Sequence, residues 1–177
     1  MRWRDTGWGR WVGAGTLGLG LGLGCGYNTT GRSAANVGNI YIPFFEDETR
    51  GERAVNLGTR MTDLVAAEFR QDRAIRVYQA ESERALASKE LVGTVKRIQE
   101  SVLTRNPDEQ REEYRVVVVC AITYRDLASD KILWQDSNVT GDGNYLLEEG
   151  DAGFEAALTV ALDEVLDLIL DKTIKAW

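Results

Sequence analysis

The stretch YRVVVVCAITYRD, residues 114–126, decides the fold of this chain. Its β-branched and aromatic residues predict a long strand whose two faces differ. The even-numbered positions are continuously apolar, whereas the odd-numbered positions are apolar only in the middle and carry Arg115 and Arg125 at the ends. We therefore expect the even face to pack against helices and to bury the thiol of Cys120 as a small apolar group. The even-numbered residues are Tyr114, Val116, Val118, Cys120, Ile122 and Tyr124.

Four other segments have strand character, and a tight LASD turn connects the central strand to the one that follows it. Pro43 lies near the middle of the first segment and lacks a backbone N–H, which favours an edge position or a bulge there. The glycine-rich stretch 141–153 is predicted to be a loop. The predicted strands cover residues 39–47, 74–80, 91–103, 114–126 and 131–141.

Two segments have the three-to-four-residue apolar spacing of amphipathic helices, one within residues 48–72 and one over 154–177. The resulting element order is β-α-β-β-β-β-α. We predict an α+β fold in which both helices pack on one face of a mixed, mainly antiparallel sheet. The first β-α-β unit is expected to be a parallel crossover.

The N-terminal residues 1–24 have the pattern of a secretory signal. Three arginines precede an uncharged Gly/Leu-rich stretch that is too short for an ordinary membrane-spanning helix. Cys25 follows directly, which predicts a lipoprotein whose cysteine is acylated. Gly22 and Leu23 make the motif before the cysteine imperfect, so a cleaved signal with a spare thiol and an uncleaved anchor stay open as alternatives. Residues 25–37 are predicted to be a lipidated tether and 38–177 the folded domain.

Charge and composition exclude several classes of function. The full chain has a net charge of −7, and without residues 1–24 it has 18 basic and 27 acidic residues, a net charge of −9. This balance argues against a broad nucleic-acid surface. The chain contains no histidine, which removes histidine-based catalytic triads and histidine-ligated metals. We expect no enzymatic activity and no cofactor other than the covalent lipid on Cys25.

An ordered set of segments gives the chain a resemblance to a known family, of which the hairpin containing DKILW is the most specific part. The chain resembles the LptE family, outer-membrane lipoproteins that help the β-barrel protein LptD deliver lipopolysaccharide to the outer leaflet. The resemblance implies that the domain sits inside the LptD barrel as a plug, held at the periplasmic face of the outer membrane by its lipid. The matching segments are CGY at 25–27, then 40–69, 90–99, 113–145 and the final helix ending at Trp177.

The resemblance also implies direct contact with lipopolysaccharide through basic residues near strand ends. Arginine suits the lipid A phosphates because its guanidinium donates paired hydrogen bonds. The alternative for each residue is an ordinary strand-end arginine paired with one of the many acids. The candidates are Arg105, Arg111, Arg115 and Arg125.

Two other functions remain open from the sequence. A lipoprotein pilot of another outer-membrane secretion pore would have the same anchor and a similar fold, but its depletion would leave lipopolysaccharide export intact. A soluble periplasmic enzyme would require a pocket with convergent titratable groups.

Overall fold

The computed structural model describes residues 38–49, 55–106 and 111–175. The predicted signal and tether, residues 1–37, lie outside the described residues, so those two predictions stay untested. The strands are β1 (Asn39–Tyr41), β2 (Glu46–Asp47), β3 (Arg76–Tyr78), β4 (Lys89–Asn106), β5 (Arg111–Asp126) and β6 (Lys131–Leu146). The α-helices are α1 (Leu57–Gln71) and α2 (Gly150–Leu170), with short helical turns at Glu81–Leu86, Leu147–Glu149 and Asp171–Lys175.

The strands form one mixed sheet with the order β3-β1-β4-β5-β6, and β2 pairs separately with β4. β1 is parallel to both β3 and β4, whereas the long strands β4, β5 and β6 are antiparallel to one another. Helix α1 lies between β1 and β3 in the chain, so the expected parallel crossover is present. The α+β fold class is confirmed.

Both α-helices share one core with the even-numbered face of β5. Val116, Val118 and Cys120 are fully buried in the same cluster as Met61 of α1 and Leu158 of α2. The odd-numbered face of β5 is only half-buried at most of its positions. The predicted assignment of the two faces is therefore correct. A one-residue slip would turn the buried side chains to the other face and would lose about 25 cal/mol of stabilisation for each Å² of apolar surface exposed.

The first predicted strand, 39–47, is interrupted. Residues 42–45 leave the ladder between β1 and β2, at the position of Pro43. Phe45 turns into the core there, where its N–H donates to Thr62 Oγ1 over 2.8 Å. Its ring lies against Gly93 of β4, where any larger side chain would overlap it. Proline and this inward turn explain why one predicted strand is two short ones.

The predicted loop at 141–153 is wrong at both ends. β6 continues to Leu146, and α2 already begins at Gly150. Gly141 and Gly143 face α2, and a Cβ at either position would overlap the carbonyl oxygen of Ala161 or Ala157. These glycines therefore let the helix approach the strand backbone closely, although in the sequence they have the pattern of a turn.

Candidate functional site

The chain enters the domain at one end of the sheet, here named the tether end and formed by Asn39, Ser88 and Leu127. Ser88 N–H donates to the Asn39 carbonyl over 2.8 Å, and Leu127 N–H donates to the Ser88 carbonyl over 2.9 Å. The Ser88 hydroxyl donates to the same Asn39 carbonyl over 3.0 Å. The first residues of β1 are thus bonded firmly to the start of β4. Cys25 itself lies outside the described residues.

The opposite end of β4 and β5 is named the hairpin end. Arg105 lies opposite Glu112, and Asn106 lies opposite Arg111 in the antiparallel register. The structure thus brings the two predicted arginines Arg105 and Arg111 close together along neighbouring strands. β4 has 18 residues, so at a rise of about 3.3 Å per residue the two ends of the sheet are about 55 Å apart.

Arg115 lies on β5 near the hairpin end and is held by an acid on β6. Its Nε and Nη2 donate to the two carboxylate oxygens of Asp142 over 2.9 and 2.6 Å. This hydrogen bonding raises the pKa of Arg115 above its ordinary value. Two parallel charge-assisted hydrogen bonds fix the plane of the guanidinium. A phosphate that binds Arg115 must therefore compete with Asp142.

Arg125 lies at the tether end and also faces an acid. Its Nε lies 2.6 Å from Glu90 Oε2, although without the alignment of a hydrogen bond. The side chain of Glu90 is only 4% exposed, and Arg84 Nε donates to its other oxygen over 2.7 Å. Two guanidinium groups thus compensate one buried carboxylate, as a buried charge requires. Asp130 adds a weaker, more exposed ion pair to Arg125 at 3.8 Å.

A pocket of about 550 Å³ adjoins this ion-pair cluster at the tether end. Tyr41 on β1 donates its hydroxyl to Glu81 Oε2 over 2.6 Å. Burial first, and then the bond to Glu81, raises the pKa of Tyr41 to about 12. At neutral pH Tyr41 is therefore a proton donor that is already engaged. The pocket is lined by Glu81, Arg84, Ala85, Ala87, Ser88, Leu127 and Ala128.

A second pocket, of about 410 Å³, lies in the half of the sheet nearer the hairpin end. Its walls combine apolar groups with the polar residues Glu100 and Ser101. The rings of Tyr114 and Tyr145 lie 5.6 Å apart between centroids. The hydroxyl of Tyr145 donates to Glu100. Val102 and Leu147 line the pocket and are about half exposed. This partly apolar surface lies in the same half of the sheet as the hairpin that carries Arg105 and Arg111.

The four predicted arginines do not converge on one site. Arg105, Arg111 and Arg115 lie in the hairpin half of the sheet, whereas Arg125 lies at the tether end. Sequence reasoning missed Glu90 and Arg84 because their partnership depends on the β4–β5 register and on the short helical turn before β4. The one available signal concerned Glu90 and Arg125: Glu90 directly precedes one predicted strand and Arg125 lies near the end of the next, so antiparallel pairing would bring them together.

Within residues 38–49, 55–106 and 111–175, no cluster of three or more metal-ligating side chains occurs. In the same ranges, no helix combines the length and the apolar character that crossing a membrane requires.

Comparison with known proteins extends the description of the fold. No protein-family model matches the chain, and no curated protein matches it. The hypothetical protein CT253 from Chlamydia trachomatis is similar in structure, with a TM-score of 0.54 and 8% identity over 77% of this chain and 97% of that chain. At this identity the likeness concerns the fold alone.

Two further solved structures have lower TM-scores. A neuraminyllactose-binding hemagglutinin homolog from Helicobacter pylori has a TM-score of 0.49 and 13% identity over 80% of this chain and 88% of that chain. The lipoprotein GNA1162 from Neisseria meningitidis has a TM-score of 0.45 and 13% identity over 76% of this chain and 96% of that chain.

Proposed function

We propose that this chain is a non-enzymatic outer-membrane lipoprotein that plugs the LptD barrel and assists its assembly for lipopolysaccharide transport. The observation that carries the proposal is the agreement between the α+β fold of residues 38–175 and the order of elements on which the resemblance to the LptE family rests. The pattern of residues 1–25 supplies the anchor of the proposed lipoprotein.

The distribution of polar and apolar groups supports a plug. The interiors of large outer-membrane barrels are polar, and folded elements often fill them. The sheet face away from the helices carries a mixed set of side chains. Val117, Ala121 and Thr123 of β5 are half-buried there, and Gln135 and Thr140 of β6 are exposed. Such a mixed surface suits a polar lumen better than a lipid phase or a hydrophobic core.

The anchor and the tether end fit the same proposal. Thirteen residue steps separate Cys25 from Gly38, and an extended chain of that length spans at most about 45 Å. Each acyl chain adds about 0.8 kcal/mol of membrane affinity per buried CH₂. The lipid would therefore keep the domain beside its barrel at a high effective concentration.

Lipopolysaccharide contact, in this proposal, occurs at the hairpin end. Arg115 and Arg125 are already paired with Asp142 and Glu90. The pair of strands that carries Arg105 and Arg111 also carries Val102 and Leu103, which are 45% and 47% exposed. A lipid with phosphates and acyl chains needs this combination of cations and apolar surface. The acidic Glu112 and Glu113 nearby would weaken the attraction.

Detergent co-purification tests the partner. The full chain, with an affinity tag at its C-terminus, is expected to recover a protein of LptD size identified by mass spectrometry. Cys25→Ala should move the chain from the membrane fraction to the soluble periplasmic fraction. If the folded, membrane-bound chain recovers no barrel protein, the proposal is rejected. Recovery of a different secretion pore would replace it with the pilot function.

A separate flotation experiment tests lipid contact with lipopolysaccharide-containing vesicles. The double variant Arg105→Ala/Arg111→Ala should bind fewer vesicles than the unaltered chain. Arg73→Ala, which removes one exposed charge after α1, is the control and should leave binding unchanged. Equal binding by the double variant and the control would remove the hairpin end from the proposed function.

A further inference from the structure

Two short turns form the surface of the tether end. The helical turn Glu81–Leu86 and the turn at 127–130 both line the pocket of about 550 Å³. Their exposed apolar groups form what is here named the apolar rim. Leu86 is 59% exposed, Leu127 is half-buried, and the two alanines are exposed. The rim comprises Ala85, Leu86, Leu127 and Ala128.

Hydrogen bonds hold the rim in a fixed shape. Asn39 Nδ2 donates to the Leu86 carbonyl over 3.2 Å, which ties the first turn to β1. Asp126 Oδ1 accepts from the N–H and from the hydroxyl of Ser129, over 2.8 and 2.9 Å, which closes the second turn. A surface whose turns are already ordered loses little conformational entropy when it binds. An exposed leucine in such a fixed turn is available for a contact outside the domain.

The charges around the rim compensate one another. Residues 81–90 and 125–131 carry four basic and five acidic side chains, whereas residues 38–177 carry 17 basic and 27 acidic ones. The tether end is therefore close to neutral on a strongly acidic domain, so the anionic groups of a bilayer surface repel this end least. The ion pairs at this end are Lys89–Asp126, Arg84–Glu90 and Arg125–Glu90.

The chain segment that would carry the lipid joins the domain beside the rim. A Cβ on Gly38 would lie 3.2 Å from Ser88 Oγ, and Ser88 lines the same pocket as the rim. Thirteen residue steps separate Gly38 from Cys25, a distance of at most about 45 Å when extended. A lipid on Cys25 would therefore keep the rim near the bilayer, while the hairpin end lies about 55 Å farther along β4.

We propose that the apolar rim is a membrane-docking surface that rests on the bilayer in which Cys25 is anchored. This inference rests on the lipid anchor of the proposed function but not on the barrel partner. Leu86 and its neighbours leave water when they enter the boundary between headgroups and acyl chains. Two leucines and two alanines offer little apolar surface, so docking requires the tether to raise the effective concentration of lipid around them.

A fluorescent probe at residue 86 tests the contact. The full lipidated chain with Leu86→Cys is labelled with the environment-sensitive dye NBD and reconstituted into vesicles of phosphatidylcholine and phosphatidylethanolamine. Cys120 is buried and does not compete for the dye. We expect a blue-shifted emission and about twofold quenching by nitroxide-labelled lipid, since interfacial segments lie about 5–10 Å deep in this boundary. Val160→Cys, 56% exposed on α2, is the control and should keep an aqueous, unquenched emission.

A second measurement assigns the contact to the rim and to the tether. A probe at Ala128→Cys, in the neighbouring turn, should also be quenched. Adding Leu86→Glu should remove this quenching, because a carboxylate resists transfer from water. Val160→Glu places the same charge at a similarly exposed position and should leave the quenching unchanged. Cys25→Ala should abolish the quenching of the residue 86 probe in the same vesicles.

The outcomes separate this inference from the proposed function. A lipidated, folded chain whose probe at residue 86 stays unquenched, or is quenched no more than the probe at residue 160, would overturn the docking surface alone. Undiminished quenching after Leu86→Glu, or in the Cys25→Ala chain, would overturn it as well. A chain without acyl groups on Cys25 would refute both proposals. Recovery of no barrel protein by a chain that docks would refute only the proposed function.

Discussion

Arg115 and Asp142 face each other diagonally across β5 and β6, and two hydrogen bonds of 2.9 and 2.6 Å join the guanidinium to both carboxylate oxygens. The backbone N–H of Asp142 is bound in turn by Glu164 of α2. One aspartate thus connects a strand arginine, the edge of the sheet and a helix. An arginine that the sequence offers as a candidate phosphate ligand is therefore already engaged.

Releasing Arg115 should change lipid binding. In Asp142→Asn the guanidinium loses its ionic partner, and we expect vesicles containing lipopolysaccharide to bind more strongly than to the unaltered chain. Arg115→Ala should leave binding unchanged, because its side chain does not contact phosphate while Asp142 holds it. Both changes should lower the free energy of unfolding only slightly, since the pair is partly exposed and screened by solvent. A loss of binding in Arg115→Ala as large as in Arg105→Ala would contradict this prediction.

Filling the space at Gly143 should destabilise the domain. A methyl group there would overlap the Ala157 carbonyl oxygen of α2, so helix and strand must move apart. Overpacking of this kind costs about 1–3 kcal/mol, and a clash with backbone belongs at the upper end. Urea denaturation of Gly143→Ala measures the loss. Asn144→Ala, at the next and exposed position, should change the free energy of unfolding by less than about 0.5 kcal/mol.

Neutralising Glu90 should leave two arginines without their shared acid. Glu90→Gln keeps the shape of the side chain but removes the charge between Arg84 and Arg125. Removal of one member of a buried pair costs about 3–5 kcal/mol, and partial exposure of both arginines reduces the expected loss to about 2 kcal/mol. Glu83→Gln, exposed in the turn before β4, is the control in the same denaturation experiment. Equal midpoints for the two variants would show that Glu90 is not a stabilising partner.

Stability should fall in acid, partly through Asp126. Its hydrogen bond with Lys89, together with bonds from Ser129, holds the pKa of Asp126 well below its ordinary value of 3.8. A carboxyl group with a lowered folded-state pKa stabilises the fold above the unfolded-state pKa, and this contribution is lost as the pH falls below about 4. Urea midpoints measured from pH 6 to pH 2 should therefore decline less steeply in Asp126→Asn. Asp130→Asn in the same turn serves for comparison, and parallel curves for Asp126→Asn and the unaltered chain would refute the assignment.

Thiol counting distinguishes the two cysteines. Burial raises the pKa of Cys120 to about 12, so its thiol should react very slowly with iodoacetamide in the folded protein at pH 8. In urea, one thiol per chain should react if Cys25 is acylated. Two reactive thiols in the membrane-extracted chain would mean that Cys25 is unmodified. Rapid labelling of the folded Cys25→Ala variant would instead contradict the burial of Cys120.

Periodicity predicted much of the fold because it records which side of an element meets the core. The alternation around Cys120 and the stripe containing Met61 both identified buried faces correctly. The end of β6 was not predictable in the same way. Gly141 and Gly143 favour turns when only their neighbours in sequence are considered, and their role as contact points for α2 arises from residues about 15–20 positions away.

The sequence by itself determined the α+β class, the helix-facing side of β5 and the acidic character of the domain, because these depend on spacing and composition. The tertiary structure alone decided that Asp142 holds Arg115, that Glu90 joins Arg84 and Arg125, and that Glu164 caps the edge of β6. Each of these contacts joins side chains whose proximity is set by strand register and helix docking. Register and docking follow from packing the whole core at once, and no local pattern of residues encodes them.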